Sequence, residues 1–130
     1  DLLKRSDIVT IHTPLTQATE NLIGAKELRM MKDNAILINT SRDGIIRHAA
    51  LTKALTEGRL YVYASDVHEG EPPKHSSLFD MPNVLVTPHA GSVTYEANYR
   101  MGMAVADNII AFKDGATPPN VVASLAQFFM

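Results

Sequence analysis

Four short apolar runs constrain what this chain can fold into more than any other feature. They occupy residues 8–12, 35–39, 60–65 and 83–87, and helical stretches separate them for the most part. Each is rich in Val, Ile, Leu or Tyr and too short for a helix, so each reads as a strand. The spacing predicts helices over 25–31 and 47–57 and, after the fourth run, a long one over 97–113. Ala50, Leu51, Ala54 and Leu55 share one face of the second helix, and Gly58 supplies its stop. Nearly continuous apolar strands joined by crossovers of a dozen or more residues predict parallel pairing covered on both faces, an α/β class.

With 130 residues and 45% hydrophobic content the chain can fill one core. A net charge of -2 provides no field to gather polyphosphate, so no nucleic-acid partner is expected. The lack of Cys excludes disulfides and thiol catalysis and fits a cytoplasmic, reducing location. No apolar run reaches the roughly 18 to 20 residues of a membrane helix, so no membrane partner is expected either. No two of His12, His48, His68 and His75 stand at zinc-ligand spacing with an acidic third, so no metal is expected. His12 reads as a structural hydrogen-bonding residue.

In parallel sheets ligands bind beyond the carboxyl ends of the strands. The four ends here read His12-Thr13-Pro14-Leu15-Thr16, Asn39-Thr40-Ser41-Arg42-Asp43-Gly44, Asp66-Val67-His68-Glu69-Gly70-Glu71-Pro72 and Thr87-Pro88-His89-Ala90-Gly91-Ser92. A histidine, a carboxylate and an arginine suit redox chemistry at an alcohol or ketone carbon. The imidazole takes or gives the hydroxyl proton, a carboxylate (Glu69 or Glu71) fixes its tautomer, and the guanidinium grips a substrate carboxylate. That set matches a 2-hydroxy acid.

These four motifs, in this order and at these intervals, resemble the D-isomer-specific 2-hydroxyacid dehydrogenases over almost the whole chain. The resemblance implies a partial Rossmann-type, doubly wound parallel sheet, the second half of a dinucleotide-binding domain. It implies NAD or NADP as cofactor, a small 2-keto or 2-hydroxy acid as substrate, and a homodimer. It assigns Arg42 to the substrate carboxylate, His89 to proton exchange and Glu71, directly before Pro72, to orienting His89. Thr13, Pro14, Thr40, Ser41, Asp66, His89, Gly91 and Ser92 become cofactor-lining positions, with Asp66 at the nicotinamide carboxamide.

A non-catalytic, dinucleotide-sensing corepressor of the same fold is the alternative. The chain contains no G-x-G-x-x-G, which places the expected pyrophosphate site upstream of a fragment. Residues 1–115 read as the dinucleotide-binding half and 116–130 as a tail returning toward a substrate domain. The resembled loop runs Arg-Gly-Gly, an apolar pair, then an acidic pair, whereas this chain has Arg42-Asp43-Gly44-Ile45-Ile46-Arg47-His48. Asp43 is therefore expected to weaken Arg42's hold on an anion or to select a less anionic substrate.

Overall fold

The computed structural model describes residues 1–70 and 72–129. It divides into two compact units, Asp1–Gly91 and Ser92–Met130. The first begins with a single helical turn, α1 (Leu2–Arg5), and continues β1 (Ile8–Ile11), α2 (Ala25–Met30), β2 (Ala35–Asn39), α3 (His48–Thr56), β3 (Leu60–Ser65) and β4 (Val84–Val86). The strands form one sheet in the order β1-β2-β3-β4, every pair parallel.

Burial alternates along these strands instead of running continuously. The register aligns Val9, Leu37, Tyr63 and Val84, and two residues further on Ile11, Asn39, Ser65 and Val86. Side chains two apart share a face, and this face holds the core, with Leu37 and Asn39 wholly buried. On the opposite face Ile8 and Leu85 are exposed. Successive right-handed crossovers put both helices on the same side; α2 and α3 pack on each other and α3 packs on β3. Leu28, Ile45, Ile46, Leu51, Leu55 and Leu60 fill the space between, each contributing about 1.5–3 kcal/mol on burial.

The C-terminal end of α3 follows from local sequence, and its start does not. Its N-cap is Arg47, which makes no side-chain capping bond. At the other end Gly58 N–H donates to the Leu55 carbonyl (3.1 Å) and Arg59 N–H to the Ala54 carbonyl (2.9 Å). This is a Schellman closure, and it requires the left-handed φ of +68° that Gly58 adopts.

The second unit carries α4 (Tyr95–Lys113), started by the Thr94 hydroxyl accepting from Ala97 N–H at 3.1 Å. The residues after it fold back along it. Asn120 N–H donates to Asn108 Oδ1 at 3.1 Å, and Phe129 meets Phe112 edge-on at 6.3 Å. No residue of α4 is buried. Among the described residues no helix is long and apolar enough to cross a membrane.

Candidate active site

The row Ile11, Asn39, Ser65, Val86 decides which polar residues meet. Because those four are in register, the next residues along, His12, Thr40, Asp66 and Thr87, emerge side by side at the carboxyl edge of the sheet. Motifs separated by up to 75 positions in the chain thereby come to one line.

Asn39 builds the turn that presents Arg42. It is wholly buried; its Nδ2 donates to the Arg42 carbonyl at 2.9 Å, and its Oδ1 accepts from Ser41 N–H at 3.1 Å. The Ser41 hydroxyl donates to the Thr13 carbonyl, tying this turn to the end of β1. Arg42 itself is exposed and donates from Nη1 to the Ser41 carbonyl at 2.7 Å. Pro14 is held through its carbonyl, which accepts from the Thr19 hydroxyl at 2.6 Å. The motif contained Asn39, but nothing in the sequence indicated that its amide carries the turn. Removing it opens a cavity at a wholly buried position, leaves the partly buried Ser41 N–H without this acceptor and leaves the Arg42 carbonyl with only Ile45 N–H at 3.4 Å. Asn39→Ala is expected to lower the unfolding free energy by about 2–4 kcal/mol, read by urea unfolding. A loss below about 1 kcal/mol would mean the Arg42 turn holds itself.

Asp66 does for the fourth strand end what Asn39 does for the second. Its Oδ1 accepts from the Thr87 hydroxyl (2.5 Å) and Ala90 N–H (2.9 Å), and its Oδ2 accepts from Gly91 N–H (2.8 Å). These bonds hold the Asp66 carboxyl down at about 2, the Thr87 hydroxyl contributing most, then the Ala90 and Gly91 amides, with a smaller pull from His89. They also bracket His89 on both sides. His89 has φ +52°, a left-handed conformation unusual for a residue with a side chain, and its N–H reaches the Thr87 carbonyl at 3.0 Å. At Gly91 a Cβ would stand 3.0 Å from Asp66 Oδ2, so glycine permits the amide's approach.

His68 adds a further tie. Its Nε2 donates to the Thr87 carbonyl at 2.7 Å, and its ring meets Phe79 edge-on at 5.4 Å, so it packs as an aromatic residue would while also bonding. His12 Nε2 is hydrogen-bonded to the Thr10 hydroxyl at 2.9 Å, in line with the structural role expected of it. Ser92 opens the second unit, where its carbonyl accepts from Thr94 N–H at 3.0 Å. Glu71 lies outside the described residues. Glu69, the other acidic candidate, lines two neighbouring clefts of about 540 and 450 Å³ together with Asp43, His48 and His68.

Residues 1–91 match the family model described as D-isomer specific 2-hydroxyacid dehydrogenase, NAD binding domain. The chain is similar to a glyoxylate reductase of Thermococcus litoralis, 50% identical over 121 residues that make up 93% of this chain and 37% of that protein. A glyoxylate reductase of Aeropyrum pernix is also 50% identical, over 94% of this chain and 37% of its own length. A D-lactate dehydrogenase crystallised with NAD+ from Lactobacillus jensenii superimposes with a TM-score of 0.83 at 34% identity, covering 93% of this chain and 41% of that one. The chain thus spans about 37% of the length of these two curated relatives.

Proposed function

Because the chain belongs to the D-isomer specific 2-hydroxyacid dehydrogenase NAD-binding domain family, we propose that it forms the catalytic half-site of an enzyme interconverting a 2-keto acid and a D-2-hydroxy acid. The observation that carries this reading is the aligned row of strand ends, with Asp66 bracing the segment that bears His89. Residues 1–115 are read as the dinucleotide-binding half and 116–130 as the return toward a substrate domain.

The edge suits a nicotinamide carboxamide on the chemistry of its groups. An ionised carboxylate offers about four lone-pair positions, and Thr87, Ala90 and Gly91 use three of those on Asp66. Beyond these three bonds, an amide N–H of the carboxamide is assigned to the same carboxylate. Thr13 and Thr40, exposed at the adjoining strand ends, are assigned to the cofactor as further hydroxyl groups.

When bound, the reduced cofactor supplies a hydride to the keto carbon. Arg42 holds the substrate carboxylate through two parallel N–H bonds, which orients the carbonyl. His89, as imidazolium, gives its proton to the keto oxygen while the carbon gains hydrogen, leaving neutral imidazole and the hydroxy acid. In the oxidative direction His89 takes the hydroxyl proton back. Glu71 is assigned to orient and charge His89.

The test is an assay of the enzyme carrying this chain with NADH and a panel of glyoxylate, pyruvate and larger 2-keto acids. NADH oxidation with at least one of them is expected, and Arg42→Ala is expected to raise KM for that acid roughly 10- to 100-fold. Intact NADH binding with no turnover across the panel would sink the reading and match a non-catalytic, dinucleotide-sensing module.

A further inference from the structure

Arg42 is followed by a carboxylate that the resembled loop lacks, and the structure shows where that charge goes. Asp43 opens a short 3-10 turn, Asp43–Ile45, and its side chain is only 15% exposed. No ion pair among the described residues joins it to Arg42. Its Oδ1 instead lies 2.7 Å from Nε2 of His48, the first residue of α3. Two of the loop's three departures therefore compensate one another: Asp43 stands where glycine is expected and His48 where an acid is expected, while Arg47 takes the other acidic position.

We infer that Asp43 and His48 form a charge-compensating pair that keeps Arg42 available to an anionic 2-keto acid at neutral pH and weakens that hold as the solution becomes alkaline. The inference rests on the reading of Arg42 as the anion-binding residue. With His48 protonated, the pair is neutral and Arg42 presents a full positive charge to the shallow cleft that all three residues line. With His48 neutral, Asp43 is an uncompensated carboxylate next to Arg42 in sequence and on the same cleft wall. The summed charge of Arg42, Asp43 and His48 then falls by one, on a cleft that Glu20 and Glu69 also line.

The surroundings of His48 favour the protonated form. Its pKa is raised above the ordinary 6.5, chiefly by the hydrogen bond it donates to Asp43; burial opposes this, and the negative charges of Asp43 and Glu69 add to it. Further titratable groups line the larger cleft beside the pair, Glu69, Lys74, His75 and Tyr63, whose phenol burial pushes up, and Glu20 lines the smaller one. His68 lines both clefts, with Nε2 donating to the Thr87 carbonyl. A raised folded-state pKa means the pair's contribution is fully present below 6.5 and is lost as pH rises through the raised value.

The test uses the enzyme carrying this chain and oxamate, a carboxylate-bearing analogue of a 2-keto acid, titrated into its NADH complex. Affinities are compared as ratios between variants, which cancels any pH dependence that His89 imposes on all of them. At about pH 6.5 Asp43→Asn is expected to bind oxamate within about twofold of the unaltered enzyme; at about pH 9 it should bind roughly three- to tenfold tighter. His48→Gln should bind more weakly than Asp43→Asn by a similar factor at both pH values, and the double variant should match Asp43→Asn. Independently of binding, the His48 ring titration followed by NMR should move to lower pH in Asp43→Asn. A ratio that does not change with pH, or a His48 titration unmoved by Asp43→Asn, overturns the inference alone. An unaltered enzyme that neither binds oxamate nor reduces any 2-keto acid overturns the functional reading, and the inference with it.

Discussion

Replacing His89 by asparagine in the enzyme carrying this chain is expected to lower kcat for keto-acid reduction by about 10²- to 10⁴-fold, with KM for NADH changed by less than about threefold. Asparagine is the informative replacement because of the backbone. His89 has φ +52°, and asparagine is among the few residues that tolerate this region. The substitution therefore removes the proton donor without adding strain to the segment. Alanine would change both at once. If His89→Asn retained more than about a tenth of kcat with a normal thermal midpoint, His89 would not be the acid and base of the reaction.

Asp66→Ala is expected to lower kcat by about 10- to 100-fold, because misplacing a reacting group by about 1 Å costs that much. Besides removing the acceptor assigned to the carboxamide, the substitution acts indirectly. The Asp66 carboxylate accepts from Thr87 before His89 and from Ala90 and Gly91 after it, so removing it frees the strained residue to relax. Asp66→Asn should rescue only in part, since an amide keeps one acceptor oxygen and turns two donor hydrogens toward groups that are themselves donors.

Two readouts separate positioning from a general loss of fold. Amide exchange at Ala90 and Gly91 should accelerate while that of the β2 core is unchanged, and the loss should appear in kcat more than in KM for the keto acid. Unchanged kcat and unchanged exchange in Asp66→Ala would overturn the bracing role. The charge sets the pH window. A carboxyl lowered from 3.8 to about 2 contributes stability that is fully present above 3.8 and disappears as pH falls through about 2. Activity lost between about pH 6 and 4 therefore has another origin.

Much of the fold was legible in the sequence because it follows from local periodicity. The four apolar runs became β1 to β4 and Gly58 ends α3. The long terminal helix begins slightly earlier than periodicity suggests, at Tyr95, because Thr94 caps it. Continuous burial on both strand faces was the expectation that changed. Val9 and Ile11 are buried and Ile8 is exposed, since both crossover helices of this unit lie on one side. The tie from Asp66 to the His89 segment was not legible, because its donors are 21 to 25 positions away and only the sheet register brings them close.

Asp43 marks the boundary between the two kinds of information. From the sequence it is a carboxylate beside Arg42, and proximity along the chain predicts that it competes for the guanidinium. In the folded chain the turn after Arg42 and the start of α3 bring His48 to within 2.7 Å of it, and Arg42 bonds its own turn instead. The sequence by itself determined the strands, the parallel class and the chemical types gathered at the strand ends, because apolar periodicity and motif spacing are local properties. Only the tertiary structure decided which charges neutralise which, and which backbone amides hold His89 in place, because those pairings depend on register and on where each turn directs its side chains.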